Sequence, residues 1–280
     1  MNREKQIFKA ASKTYYWSSK FFPEATRDDV FKLYSFVRIA DDFVDAVPQD
    51  KKSFNQLRKA WIKILKDGKA PSKKMHTDTR LAVQNMFDVY TKYGFEKAWV
   101  RAFLDAMEAD TVKKEYATLK ETKKYMYGSA EVIGLMMAKI IGVPEKAYPA
   151  AMAQGRAMQY INFIRDISED NSMGRQYIPT QQLKKYGLPS LSVADAYKHP
   201  AAFRECIEAQ LAYYQKWQSE ADKSFKYIPR TQRIAVRTAV DMYNWTADTI
   251  AKNPFIVFDK KIKPSKSRVV VRALMRSIHA

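Results

Sequence analysis

The sequence predicts an all-α protein folded as a single domain over residues 1–280. Three observations predict it. Apolar residues recur at spacings of three and four along nearly the whole chain, which is helical periodicity. Strand signals are scarce: Val269, Val270 and Val271 form the β-branched triplet, and it lies between Arg268 and Arg272. No linker, repeat or low-complexity tract separates two halves.

Taken in order, the periodicity places helices at 3–20, 27–47, 52–67, 77–93, 96–110, 119–141, 145–171, 201–225 and 231–252. Helix breakers fit the gaps: Pro23, Pro48, Pro71, Gly94, Gly142, Pro144, Gly174, Pro179, Pro189, Pro200, Pro229 and Pro254. Thr26 followed three later by Asp29 reads as a variant capping box. The apolar run AEVIGLMMAKIIGV at 130–143 contains Glu131 and Lys139. At 14 residues it is too short to span a bilayer and is expected to be a core helix. Gly134 and Ala138, one turn apart, either open space inside or let another helix approach.

Composition narrows the function. Hydrophobic content of 46% is that of a globular chain. With 8 Gly and neither GxGxxG nor GxxxxGK, nothing points to a Rossmann or P-loop nucleotide site. One cysteine, Cys206, excludes an intrachain disulfide, and His76, His199 and His279 lack zinc-site spacing. No apolar signal core opens the chain, so a cytoplasmic protein is expected. The net charge of +19 favours anionic partners: phosphorylated substrates, anionic lipid or nucleic acid. Residues 260–280 hold seven Lys or Arg and no acid, with Arg268, Arg272 and Arg276 spaced by four. That segment reads either as a basic amphipathic helix in peripheral contact with an anionic membrane or as a solvated terminal helix.

The chemistry concentrates in FVRIADDFVDAV, residues 36–47. On a helix, Tyr34, Arg38, Asp41 and Asp45 fall within about 60° of one another. Phe36, Val37, Ile39, Phe43 and Val44 cover the rest, and Asp42 lies off the stripe. Such a narrow polar stripe on a helix built for burial points into an enclosed cavity. The segment AMQYINFIRDISED repeats the device with Gln159, Asn162, Asp166 and Asp170, and with Arg165 beside Asp166. Carboxylates at i and i+4 offer hard oxygen ligands on one side of a helix. Mg²⁺ takes one or two of these together with water and substrate phosphate oxygens. Two facing pairs suit a diphosphate leaving group, with arginines binding the same phosphates. The alternative is internal ion pairing, Arg38 with Asp41 and Arg165 with an acid of the first stripe.

The segments SKTYYWSSKFFP, RIADDFVD, YMYGSAEVIG, QYINFIRDISED and GRQYIP, in this order, resemble the squalene and phytoene synthase family over 12–261. The resemblance implies an isoprenoid synthase fold, a helical bundle around a central cavity, and head-to-head joining of two prenyl diphosphates. It implies Asp41 and Asp45 as the first Mg²⁺ motif and Asp166 and Asp170 as the second, with Asn162 as a further ligand and Mn²⁺ as a substitute metal. Ser12, Thr14, Arg38, Gln159, Arg165 and Lys261 would bind diphosphate. Tyr127 and Tyr243 would be cavity tyrosines in the catalytic set. One departure stands out: Glu131 occupies a position where the family commonly has Gly, so it alters packing or pairs with a lysine. The expected reaction is Mg²⁺-dependent condensation of two geranylgeranyl diphosphates to phytoene through a cyclopropyl (prephytoene) diphosphate. The short chain and the absence of a C-terminal anchor favour that over the runner-up, squalene or dehydrosqualene from farnesyl diphosphate. NADPH is expected only for squalene. A basic helical nucleic-acid-binding protein is the distant alternative. It has no use for two buried acid stripes, so nucleic acid is not an expected partner.

Overall fold

The computed structural model describes residues 3–11, 13–71 and 75–278, without the side chains of residues 10, 11, 13, 14 and 278. Helices account for nearly all regular structure among them. The β-type pairing present is an isolated bridge between Glu115 and Gln176. The order is α1 (Arg3–Ala11), α2 (Lys13–Ser18), α3 (Glu24–Asp45), α4 (Lys51–Asp67), α5 (Thr77–Tyr93), α6 (Lys97–Ala109), α7 (Leu119–Met126) and α8 (Val132–Ile140). Then come α9 (Tyr148–Arg165), α10 (Ile167–Ser172), α11 (Thr180–Lys185), α12 (Val193–Lys198), α13 (Pro200–Asp222), α14 (Arg230–Lys252), α15 (Ile256–Asp259) and α16 (Lys266–Ile278).

The two long acid-bearing segments sit at the middle. Helix α3 packs on α5 and also meets α1, α4 and α6, while α9 packs on α13, α8 and α14. Between them runs a continuous core that includes Leu33, Phe36, Trp61, Phe103, Tyr160, Phe163, Phe203 and Tyr214. No helix among the described residues is long and apolar enough to cross a membrane.

Four sequence-based boundaries change. The expected 3–20 helix is described over Arg3–Ala11 and Lys13–Ser18, with Ser12 outside the described residues, and ends in a 3-10 turn, Ser19–Phe21. The expected 119–141 helix is interrupted by a π-turn, Tyr127–Glu131, between α7 and α8. The expected 145–171 helix breaks at Asp166, whose φ and ψ of −98° and 16° leave the α region, so α10 starts anew at Ile167. The capping box at Thr26 does not form. Helix α3 already starts at Glu24 after Pro23, and Asp29 instead accepts hydrogen bonds from Lys92 and Tyr93 of α5 (both 2.6 Å). A tertiary partner has taken the carboxylate that a local cap would have used. Elsewhere side-chain caps do form: Asp50 accepts from the Ser53 amide (3.0 Å) at the start of α4, and Thr118 from the Glu121 amide (3.3 Å) at α7.

The C-terminal arginines also settle differently. Arg272 and Arg276 both reach the buried carboxylate of Asp241 on α14 (2.8 and 2.7 Å), and Arg268 lies over the Trp245 ring at 4.7 Å. Arg272 and Arg276 thereby tie α16 to α14. Outward, α16 shows Val271, Leu274 and Met275 together with Lys266, Arg268 and Arg272.

Candidate active site

The sequence puts the first acid stripe on α3, and the structure keeps it there. Phe36, Ile39, Ala40 and Val44 are buried, whereas Tyr34, Arg38, Asp41 and Asp45 are partly open. Arg38 donates to Asp41 at 2.9 Å and meets Asp42 at 2.5 Å. The internal ion pair weighed as the alternative to metal binding is therefore present in this state. Asp42 is the more exposed of the two partners, off the stripe as its spacing requires.

The second stripe follows α9 to its end. Arg165 grips its neighbour Asp166 through two hydrogen bonds (2.8 and 2.5 Å). Asp166 ends α9 without interrupting the ladder. Its amide donates to the Asn162 carbonyl and its own carbonyl accepts from the Asp170 amide, both at 2.8 Å. Asp166 and Asp170 thus remain one turn apart. The ion-pair alternative had Arg165 reaching an acid of the first stripe; it pairs with its own neighbour Asp166.

A third arginine joins the two stripes. Arg175 is buried; it donates to Asp45 at 2.5 Å and to the Val44 carbonyl at 2.6 Å, and its charge also acts on Asp170. Behind it lies Asp110, likewise buried. Its carboxylate accepts the hydroxyls of Tyr125 and of Tyr177, the latter at 3.0 Å.

The site therefore gathers six carboxylates, Asp41, Asp42, Asp45, Asp110, Asp166 and Asp170, around three guanidiniums, Arg38, Arg165 and Arg175. The surplus of negative charge is visible in the titration. Desolvation, then Asp45, lift Asp41 to about 7 against the pull of Arg38. Desolvation and Asp166 lift Asp170 to about 8 against Arg175. Burial lifts Asp110 to about 6, opposed by the Tyr125 hydrogen bond. Acids held this high are first of all desolvated, and the nearby carboxylates add to the rise more than the arginines offset it. Asn162 adds a buried side-chain oxygen without a hydrogen-bond partner. Hard oxygen donors in excess of cations, with an orphaned amide oxygen among them, fit a divalent cation. Among the described residues, no three acids already converge into a metal cage. The arginines hold the carboxylates apart in pairs.

Below the charged end lies an apolar cavity of about 310 Å³. Its lining reaches Tyr34 and Val37, one turn before Arg38 and Asp41, and Gln159 and Asn162, two turns and one turn before Asp166. Along α9 it continues from Asn162 to Ala150, ~18 Å at 1.5 Å per residue. Its far end is closed by apolar groups including Val143, Phe225 and Ile228. Gly134 and Ala138 both line it, and Gly134 also serves the other reading. A Cβ there would stand 2.3 Å from the Ala151 carbonyl oxygen, so α8 and α9 touch at backbone distance.

Of the other expected residues, Tyr243 is buried against Tyr15 (ring centroids 5.7 Å) and hydrogen-bonded to Tyr15 and Asn162. Lys261 is mostly exposed and pairs with Glu169 at the rim. Two residues on, Lys263 is the lysine that senses the site; burial, then the charges of Lys261 and Arg165, lower it. The side chain of Thr14, like all of Ser12, lies outside the described residues. Tyr127 is a correction. It is exposed at the surface and absent from the cavity wall, whereas Tyr125 points inward to Asp110. Two residues apart on a helix, the tyrosines of YMY point about 200° apart, so only one of them can face inward, and that one is Tyr125. Glu131 is buried and does find a partner. That partner is Arg156, not a lysine, at 2.6 and 3.0 Å. Sequence reasoning missed Arg175, Tyr177, Tyr125 and Asp110. GRQYIP carried the first two as an arginine and a tyrosine just past the second acid pair, but nothing local marked Asp110.

Comparison with known proteins follows this geometry. The profile of the family described as squalene/phytoene synthase matches residues 8–269. A 15-cis-phytoene synthase of Enterobacter agglomerans is 30% identical over 244 residues, covering 83% of this chain and 79% of its own. One from Synechococcus elongatus is 24% identical, covering 92% and 85%. Among solved structures, a dehydrosqualene synthase in complex with ligand superposes with a TM-score of 0.85 at 23% identity, over 99% of this chain and 95% of its own. A squalene synthase from Alicyclobacillus acidocaldarius gives 0.77 at 18% identity, over 90% and 93%. These two likenesses place the fold as the isoprenoid synthase fold.

Proposed function

The chain belongs to the squalene/phytoene synthase family of prenyltransferases, and from that premise we propose that it condenses two geranylgeranyl diphosphates head to head to give phytoene. The observation that carries the reading is the joint between chemistries: a carboxylate- and guanidinium-lined mouth directly above a long apolar cavity. A prenyl diphosphate has the same two ends. The ~18 Å run of apolar wall along α9 suits a four-isoprene tail, which favours geranylgeranyl over farnesyl diphosphate. The phytoene synthases among the relatives point the same way.

Asp41, Asp45, Asp166, Asp170 and Asn162 would hold Mg²⁺. Bound there, it supplies charge neutralisation to a diphosphate leaving group. The protein's own groups do the rest. Arg38, Arg165 and Arg175 offer guanidinium forks to the phosphate oxygens, releasing carboxylates as they turn to them. Tyr15, Tyr34 and Met158 wall the cavity just below, so the allylic carbon ionises beside ring faces and a thioether, with little water present. The second substrate's double bond then attacks that carbon, and loss of a proton from the resulting cation closes the ring to give the cyclopropylcarbinyl diphosphate, one diphosphate having left. That species ionises in turn, rearranges and loses a proton to form the central triene.

The test is a product assay on purified protein with geranylgeranyl diphosphate and Mg²⁺, and separately with farnesyl diphosphate with and without NADPH. A forty-carbon hydrocarbon that disappears with EDTA is the expected result. A thirty-carbon product would replace the substrate and keep the chemistry. No hydrocarbon from either substrate, in folded protein, would overturn the reading.

A further inference from the structure

We propose that Asp110, which lies on neither acid stripe, is the positioning residue that sets the two carboxylate arms against each other; this rests on the prenyl diphosphate reading above. Asp110 follows the end of α6 and is 3% exposed. Each of its attachments leads to a different part of the site. One carboxylate oxygen takes the hydroxyl of Tyr125 on α7, and the other takes that of Tyr177 at 3.0 Å. Tyr177 stacks on Phe163 with centroids 4.3 Å apart and planes at 8°. Phe163 sits on α9 between Asn162 and Asp166, so Asp110 reaches the second stripe through one ring. The Asp110 backbone carbonyl accepts from the Gln49 amide at 3.1 Å, and the same amide donates to the Val44 carbonyl at 2.9 Å. That carbonyl also receives Arg175, which holds Asp45. Asp110 thus reaches the first stripe through Gln49 and the second through Tyr177, while its charge acts on Arg175 between them.

An aspartate is needed here and an asparagine is not equivalent. The two phenols donate to different carboxylate oxygens, and an asparagine replaces one of those oxygens with an NH₂ donor. Asparagine would force one hydroxyl to turn from donor to acceptor or to move, and would leave Arg175 with one fewer counter-charge. A group that orients the holders of a metal–diphosphate site changes affinity or rate by ~10- to 100-fold when altered.

The experiment compares Asp110→Asn, Tyr177→Phe and the double variant with wild type, using two readouts. The first is hydrocarbon formation. Asp110→Asn is expected to lose ~10- to 100-fold in kcat with KM changed less than about threefold, and the double variant to be no slower than Asp110→Asn alone, because both act through one contact. The second needs no prenyl substrate: Mn²⁺ binding in the presence of inorganic pyrophosphate, followed by electron paramagnetic resonance. Asp110→Asn should weaken it ~10-fold or more. Additive losses in the double variant, or wild-type kcat and Mn²⁺ affinity in folded Asp110→Asn protein, would overturn the proposal. Should Asp110→Asn not fold, Tyr177→Phe removes the same hydrogen bond and its Mn²⁺ affinity decides alone: wild-type affinity overturns the proposal. Wild-type protein that binds Mn²⁺ and pyrophosphate but forms no hydrocarbon would overturn the proposed reaction, and the manganese readout would still judge Asp110. Wild-type protein that binds neither would overturn both.

Discussion

Asp41 and Asp42 are adjacent in sequence and unequal in place. Asp41 faces the crevice near Asp45, while Asp42 pairs with Arg38 nearer the surface. Asp41→Ala and Asp166→Ala are each expected to cut turnover at least about a hundredfold in folded protein. Asp42→Ala should cost less than about tenfold, because a solvent-screened ion pair contributes little. Steady-state rates of the three variants decide it; equal losses at Asp41 and Asp42 would contradict the geometry. The unequal roles were legible in the helical phase alone. Helical phase also allows only one of Tyr125 and Tyr127 to face inward, but which one depends on where α7 packs, and that is Tyr125.

At the scale of elements, the approach of α9 to the π-turn and α8 is set by small residues and one buried ion pair. Gly155 lets α9 come so close that a Cβ would sit 2.4 Å from the Ala130 carbonyl oxygen. Next to it, Glu131 and Arg156 close the seam with a buried ion pair, and Arg156 lies over Trp217 of α13 at 5.5 Å. Glu131→Ala leaves the arginine without its counter-charge and is expected to destabilise by about 3–5 kcal/mol. Replacing both residues by methionine should cost much less, because no charge is then stranded. Chemical denaturation of the two variants measures the contrast, and equal losses would mean that packing, not charge, holds the seam. The pairing of Glu131 with an arginine 25 positions away follows from helix packing, and nothing in the local sequence encodes it.

Across the whole molecule, the surplus acids make stability depend on pH. A carboxyl raised above its unfolded value binds its proton more tightly in the native state, so its contribution is greatest in acid and is lost as pH rises through the folded value. For Asp41, raised to about 7, and Asp170, raised to about 8, the loss runs from the ordinary carboxylate range up to about pH 8. Metal-free protein should therefore melt lower at about pH 8 than at about pH 6, and Mg²⁺ with pyrophosphate should flatten the difference. Melting curves at the two pH values, with and without both ligands, test this. A metal-free protein more stable at the higher pH would contradict the charge surplus.

The sequence by itself determined the all-helical class, the two acid stripes and the family. These rest on local spacing, and a helix converts spacing into a face. Tertiary structure decided what no spacing contains. It placed Arg175 between the stripes, put Asp110 behind it, paired Arg272 and Arg276 with Asp241, and divided the expected 145–171 helix at Asp166. The first three are contacts between residues far apart in the chain, fixed only when packed helices bring a charge within reach of its partner.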